Sequence, residues 1–204
     1  MTLHTAASPD LLPGFADPVR QSQQCFRALL NAMARPGSIH NLPTPVESPA
    51  GWTAAMTAIA LCLLDQDTPV WLDPPAATAQ ATAHLRFHCG CPIVESSQDA
   101  TFAVVSAAET APPLHELSIG DAQYPERSAT LLLSVAEFSG GKPLCWSGPG
   151  IESTADIAPR GLPAGFVRQW ADNHALYPSG VDVLLIAGSQ VIGLPRGIAI
   201  EEGF

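Results

Sequence analysis

The sequence predicts an α/β fold, in which helices pack on a mixed β-sheet in a three-layer sandwich. Helical periodicity dominates the first third of the chain, and short apolar strands alternate with helical segments after it and end in a hairpin. This order is typical of a sheet covered by helices. Residues 1–16, which contain Pro9, Pro13 and Gly14, are expected to form an irregular arm before a single α/β domain over residues 17–204.

The first helix is expected to begin after the N-cap residue Asp17 and to end at Pro36-Gly37. Apolar residues recur at i, i+3, i+4 and i+7 in this segment and predict one apolar helical face, formed by Phe26, Leu29, Leu30 and Met33. The other predicted helices cover residues 52–64, 76–87, 114–119 and 163–176. The helix over residues 52–64 is apolar on a wide face and should be largely buried.

Short apolar runs predict six strands, over residues 70–72, 101–106, 130–135, 144–147, 181–187 and 191–194. The sequence Ser139-Gly140-Gly141 lies between the third and fourth of these strands and indicates a hairpin-like connection. Gly188-Ser189 lies between the last two strands and is a second hairpin signal.

Composition excludes several classes of function. The chain has 204 residues and a formal net charge of −10, with only nine lysines and arginines. Nucleic-acid binding and attachment to anionic membranes both need a basic face, so neither is expected. Only 14% of residues are charged, which favours burial against a partner, and we expect a homodimer. Five cysteines and no visible signal peptide indicate a cytoplasmic protein with reduced thiols.

Three clusters of glycine and proline with a basic residue nearby punctuate the chain, at residues 34–37, 147–151 and 194–197. Such clusters mark turns. They also supply weak candidates for binding an anion or a partner, namely Arg35, Gly148, Gly150 and Arg196. Arg160 and Arg168, like Arg196, are residue types that pair with phosphate or carboxylate, although a surface or interface position is the preferred interpretation.

The segment from His84 to Cys91 holds the strongest local cluster of metal-ligand types. His84 and His88 are spaced i, i+4, and Cys89 and Cys91 follow them. The favoured alternative is a helix end with two small thiols, because Cys-x-Cys is a weak zinc signal and no second ligand pair lies downstream. We therefore expect no metal, and we identify no catalytic residue.

Several ordered segments resemble the PhnH family, whose members are subunits of the bacterial carbon–phosphorus lyase system. The resemblance spans nearly the whole chain and depends on the ordered set rather than on any one motif. The matching segments are residues 26–33 with Pro36-Gly37, 63–65, 67–72, 85–88, 100–104, Pro125-Glu126, 129–131, 148–151, Tyr177-Pro178, 180–182 and 194–196. Cys89 departs from the family, which commonly has threonine there, so the cysteine pair is expected to be particular to this chain.

The resemblance implies a fold like the large domain of pyridoxal-phosphate-dependent transferases without the cofactor lysine. The only lysine here is Lys142, between Gly141 and Pro143 in an expected turn, so no cofactor is expected. The resemblance also implies homodimers and a core complex with PhnG, PhnI and PhnJ. With PhnI, PhnG and PhnL, the family supports the replacement of the adenine of ATP by an alkylphosphonate, which yields ribose 1-phosphonate 5-triphosphate.

The resemblance therefore implies an accessory subunit of organic phosphonate catabolism that is inactive when isolated. Two alternatives stay open. One is an independent small hydrolase or zinc-dependent protein that uses His84, His88, Cys89 and Cys91. The other is a module that binds a phosphonate or a nucleotide.

Overall fold

A computed structural model describes residues 11–42 and 46–203 of the chain. The first ten residues of the expected N-terminal arm lie outside the described residues. Residues 11–17 contain no helix or strand. The described residues form α/β architecture with two sheets, which agrees with the predicted class.

The larger sheet has six strands and is mixed, as expected. Its strands are β1 (His40–Asn41), β2 (Val70–Leu72), β3 (Phe102–Val105), β4 (Thr130–Ser134), β7 (Asp182–Ala187) and β8 (Gln190–Leu194). The spatial order is β1-β8-β7-β4-β3-β2. Strands β2, β3, β4 and β7 are parallel to one another. Strand β8 pairs antiparallel with β7, and β1 pairs antiparallel with β8. The hairpin predicted around Gly188 is confirmed, since β7 and β8 pair antiparallel there.

The smaller sheet has three antiparallel strands in the order β6-β5-β9. They are β5 (Leu144–Ser147), β6 (Ala155–Ile157) and β9 (Ala199–Glu202). The sequence did not predict β1, β6 or β9, because runs of two to four residues such as Ala155–Ile157 are too short to show a reliable periodicity.

The predicted hairpin across Ser139-Gly140-Gly141 is wrong, because β4 and β5 belong to different sheets. The connection between them pairs instead with residues 158–160. Ala136 N donates to Arg160 O, and Gly141 N donates to Ala158 O. A Cβ at Gly141 would lie 2.0 Å from the carbonyl oxygen of Pro159, so the glycine permits this close approach rather than a tight hairpin turn.

Four α-helices are described, and side-chain capping sets the start of three of them. They are α1 (Pro18–Ala34), α2 (Ala54–Leu63), α3 (Ala79–His88) and α4 (Phe166–His174). Asp17, Thr53 and Thr78 each accept a hydrogen bond from a backbone amide in the first turn of the helix that follows. The N-cap Asp17 was predicted, whereas Thr78 moves the start of α3 from the expected residue 76 to residue 79.

Two other predicted helices are shorter than expected. The segment from residue 114 forms only a 3₁₀ turn over Leu114–Glu116. The last helix begins at Phe166 rather than at residue 163, because Gly165 adopts a left-handed conformation with φ of 71° and acts as the N-cap.

Two apolar clusters cover the two faces of the six-stranded sheet, as expected for a three-layer sandwich. Leu132, Leu184 and Ile186 face the layer of α1, α2 and α3. Their neighbours Leu131 and Leu133 face the layer of α4 and the smaller sheet. The central strands are thus buried on both faces, which explains their continuous apolar sequences.

The predicted apolar face of α1 is only partly correct. Leu29 is buried, but Phe26 and Leu30 are 54% and 58% exposed. The helix instead buries a stripe of smaller residues, Cys25, Leu29 and Ala32, spaced i, i+4 and i+7. Small side chains let α1 approach α2 and the sheet closely, so the bulky residues on the neighbouring stripe face outward.

Candidate functional site

The three Gly/Pro clusters meet in the folded chain. A Cβ at Gly150 would lie 2.6 Å from Ala34 O and 2.9 Å from Pro36 Cδ, at the end of α1. A Cβ at Gly148 would lie 2.9 Å from Gly197 O, in the third cluster. The turn after β5 therefore bridges the end of α1 and the turn after β8. We call this contact of residues 34–37, 147–151 and 194–197 the turn junction.

Close backbone approaches hold α1 on the sheet beside the turn junction. A Cβ at Gly193 in β8 would lie 2.5 Å from Ala32 O and 2.8 Å from Met33 N. Any side chain at Gly193 would therefore displace the C-terminal half of α1. The glycine fixes the distance between this helix and the antiparallel end of the sheet.

Arg196 lies in the turn junction and is fully engaged within the chain. Its Nε and Nη2 atoms donate to the two carboxylate oxygens of Asp182, at 3.1 and 2.5 Å, and its backbone amide donates to Asp182 Oδ1 at 2.8 Å. Nη1 donates to Pro125 O at 2.9 Å. The two charged side chains are only 15% and 19% exposed. This arrangement joins the ends of β7 and β8 to the segment before β4.

Side chains of α4 form hydrogen bonds with the backbone just before β7 and just after β8. Asn173 donates from Nδ2 to Val181 O and accepts from Val181 N, at 3.0 and 2.8 Å. Trp170 Nε1 donates to Ile198 O at 2.7 Å, and His174 Nδ1 lies 2.9 Å from Arg196 O. Side chains thus satisfy backbone groups that no strand pairs, which keeps the chain before β7 and after β8 in place.

The four residues predicted to bind an anion or a partner, Arg35, Gly148, Gly150 and Arg196, all belong to the turn junction. The donors of Arg196, however, are directed to Asp182 and to backbone carbonyls. Arg35 is exposed, and its carbonyl accepts hydrogen bonds from the amide and hydroxyl of Ser38. These contacts give Gly148, Gly150 and Arg196 a structural role in the turn junction. The role of all four residues in binding an anion or a partner stays a prediction.

The residues of the weak metal alternative lie close together at the end of α3 without forming a cluster of ligands. Across residues 11–42 and 46–203, no group of three or more His, Cys, Asp and Glu side chains is arranged to hold a metal. The ring centroids of His84 and His88 are 4.4 Å apart, but His88 Nε2 lies 2.9 Å from Leu12 O. His88 therefore anchors the segment that precedes α1.

The protonation of the Cys89 thiol also disfavours its use as a metal ligand. The hydrogen bond with Cys91, together with burial, raises the pKa of the Cys89 thiol, so this thiol stays protonated. Burial and the neighbouring His88 lower the pKa of His84. His84 is 1% exposed, and its two ring nitrogens make no hydrogen bond within the described residues. It is a neutral core residue.

Sequence reasoning missed Asp73, a carboxylate that is completely buried at the carboxyl end of β2. Its oxygens accept from the backbone amides of Ala76, Ser106 and Ala107, and from the hydroxyl groups of Ser106 and Thr110. The carboxylate joins the loops that follow the neighbouring parallel strands β2 and β3. The only sequence signal was its position directly after a buried strand, one residue beyond the family-like segment 67–72.

Comparison with known proteins agrees with the family resemblance of the sequence. The sequence profile of the family described as "Bacterial phosphonate metabolism protein (PhnH)" matches residues 13–201. The chain is therefore a member of the PhnH family of bacterial phosphonate metabolism proteins.

Two curated relatives are similar over most of their length. One is "Alpha-D-ribose 1-methylphosphonate 5-triphosphate synthase subunit PhnH" of Rhizobium meliloti (strain 1021), which is 40% identical over 198 residues and covers 97% of this chain and 99% of the relative. The other is "Putative C-P lyase subunit protein HtxG" of Stutzerimonas stutzeri, which is 28% identical over 176 residues, or 86% of this chain and 84% of the relative.

No helix in the described part of the chain has the length and apolarity that crossing a bilayer requires.

Proposed function

We propose that this chain is an accessory subunit of a carbon–phosphorus lyase core complex. In that role it supports the formation of ribose 1-phosphonate 5-triphosphate from ATP and an alkylphosphonate. The observation that carries the proposal is the 40% identity, over 97% of the chain, to a protein named as a subunit of a ribose 1-methylphosphonate 5-triphosphate synthase. The partners would be the PhnG, PhnI, PhnJ and PhnL subunits of the same system, in the cytoplasm.

The role of the residues within the proposed complex is structural and positional. The buried polar groups Asp73, Asp182 and Asn173 are all satisfied within the chain, and each holds loops or strand ends together. Such an arrangement suits a rigid subunit that presents a fixed surface to its partners. We propose that the isolated chain has no synthase activity and binds no pyridoxal phosphate. Lys142, the only lysine, has a side chain that is 84% exposed, whereas a Schiff-base lysine is desolvated.

We further propose a homodimer that forms through the outer face of α1. Val19, Phe26 and Leu30 lie at i, i+7 and i+11 on this helix and are 83%, 54% and 58% exposed. This stripe is apolar, lies on one side of a long helix, and is flanked by Arg20 and Arg27 in a chain that is otherwise acidic. Residues 17–204 would form the folded unit of each protomer, in an architecture related to the transferase large domain.

Deletion of the gene tests the proposed function. The deletion strain should fail to grow with methylphosphonate as the sole source of phosphorus and should grow normally on phosphate. A plasmid-borne copy of the wild-type chain should restore growth. Normal growth of the deletion strain on methylphosphonate would contradict the proposal, as would synthase turnover of ATP and methylphosphonate by the purified chain alone.

A further inference from the structure

A cavity with an unusual share of the positive charge lies between the start of α4 and the edge of the smaller sheet. Its volume is about 620 Å³, a size typical of small-molecule sites. Lys142, Arg160 and Arg168 line it, which is three of the nine basic residues in a chain of net charge −10. Glu202 is the only acidic residue among the lining residues.

The three cations differ in how firmly they are already paired. Arg168 is exposed, and its side chain makes no hydrogen bond or ion pair with any described residue. Lys142 Nζ lies 3.8 Å from Glu202 Oε1, and both side chains are mostly exposed, so this contact is weak. Arg160 uses Nη2 to bind Glu137, which lies outside the cavity, and keeps its other donors. Positive charge therefore remains available at the cavity wall.

The first turn of α4 adds to the positive potential of the wall. Gly165, Phe166 and Val167 line the cavity together with Arg168. Gly165 is the N-cap and has no side chain to accept from the first-turn amides, in contrast to the capped starts of α1, α2 and α3. The positive end of the α4 dipole thus acts on the same space as the three cationic side chains.

The remaining wall is apolar, with Leu144, Leu162 and Phe166 among its residues. A simple inorganic anion would use only the charged part of such a cavity. A ligand with an oxyanion head and an apolar substituent would use both parts, because burial of the substituent adds a hydrophobic contribution. A head with several anionic oxygens suits two arginines, a lysine and a helix start better than one carboxylate does.

We propose that this cavity binds a phosphorus oxyanion that bears an apolar substituent, the chemistry shared by organic phosphonates and phosphate monoesters. The preference for phosphorus over other anion centres rests on the proposed function. Arg168 and Arg160 pair with the oxyanion, Lys142 adds charge at the rim, and Leu162 and Phe166 contact the substituent. The site lies on α4 and β5, away from the proposed dimer face on α1.

Calorimetric titration of the full chain at low ionic strength tests the proposal. The probes are phenylphosphonate, phenyl phosphate, inorganic phosphate and benzoate. We expect the two phenyl-bearing phosphorus anions to bind at least about tenfold more tightly than inorganic phosphate or benzoate, because neither of these offers both the head and the substituent. A ratio between phenylphosphonate and phenyl phosphate above ten in either direction would identify the source of the ligand.

Variants assign the binding to the cavity. R168Q should weaken binding of phenylphosphonate about tenfold or more, and K142Q should weaken it less. R86Q, on α3, removes the same charge outside the cavity and should leave the dissociation constant within about twofold. All three positions are on the surface, and circular dichroism of each variant shows whether it is folded.

Three results would overturn the proposal. The first is no heat with phenylphosphonate, and the second is equal binding of inorganic phosphate or benzoate. The third is an equal effect of R86Q and R168Q, which would indicate a general response to net charge. Growth of the deletion strain complemented with the wild-type chain separates the proposed site from the subunit assignment. Absence of binding, with complementation of the deletion by the wild-type chain intact, would refute the site and leave the subunit assignment in place.

Discussion

Arg196 and Asp182 form a bidentate ion pair that fixes the turn after β8 to the start of β7. Both carboxylate oxygens of Asp182 accept from the guanidinium, and the same carboxylate accepts from the backbone amide of Arg196. The pair is mostly buried, and Nη1 continues the network to Pro125. Arg196 makes more hydrogen bonds than any other charged residue of the turn junction within the described residues.

Removal of this pair should destabilise the chain strongly. R196A leaves the Asp182 carboxylate buried without its partner, and the expected loss is about 3 kcal/mol in the free energy of unfolding. R196K should also lose stability, because lysine cannot form the two parallel bonds. Urea denaturation followed by circular dichroism measures both.

R160A provides the matched control for R196A. It breaks an arginine–carboxylate contact of similar length whose two side chains are each 57% exposed. The expected loss is below about 1 kcal/mol. Equal losses for R196A and R160A would show that burial does not set the strength of these pairs.

Asp73 should be as important for stability as any apolar core residue. In D73N the new amide group would direct a donor at backbone amides and hydroxyls that now donate to the carboxylate. We expect a loss of about 2–3 kcal/mol, because at least one donor becomes unsatisfied in a buried position. Thermal denaturation of D73N is compared with that of D156N, which changes an exposed aspartate in β6. A melting temperature for D73N equal to that of D156N would contradict this role.

His84 should make stability depend on pH. Its pKa is lowered in the folded chain, chiefly by burial. As pH falls below the unfolded value of about 6.5, the unfolded chain takes up a proton that the folded chain does not, so stability decreases toward the folded pKa. H84L should flatten this dependence, since leucine has no group that binds a proton. H115Q, at an exposed position, should not change it. An unchanged pH profile in H84L would show that another group is responsible.

Two adjacent leucines of α1 should respond in opposite ways to the same substitution. Leu29 is 4% exposed and Leu30 is 58% exposed. L29D places an unpaired charge in the core and should unfold the chain, at a cost of several kcal/mol. L30D should stay folded, with thermal stability close to wild type.

The association state distinguishes L30D from the wild type. Light scattering at micromolar concentration should give about twice 21.3 kDa for the wild type and one protomer for L30D. F87D changes another exposed aromatic residue, on α3, and should leave the dimer intact. A wild-type monomer, or a dimer that L30D does not affect, would refute the proposed dimer face.

The sequence predicted the elements that local chemistry controls. Asp17 before Pro18 marked the start of α1, and the signal at Gly188 marked the β7–β8 hairpin. The central strands were visible because both of their faces are buried. The error at Gly140-Gly141 arose because a glycine pair permits close packing on Pro159 as readily as a tight turn, and only tertiary structure distinguishes the two.

The candidate site shows a similar division. The sequence singled out Arg196 and the glycines of the turn junction. It did not reveal that the guanidinium of Arg196 is paired with the carboxylate of Asp182. Asp73 was missed because its donors come from residues 76–110, and no local pattern announces them. The cationic cavity forms only where the fold brings residues 141–144 against residues 159–171, so Arg160 and Arg168 remained isolated candidates until the fold joined them with Lys142.

Affinity purification of the tagged chain from cells grown on methylphosphonate tests the central claim most directly. The subunit assignment predicts that the other carbon–phosphorus lyase subunits copurify in fixed ratios, and that the L29D variant recovers none of them because it does not fold. Recovery of the wild-type chain alone, from cells that are growing on methylphosphonate, would contradict the assignment.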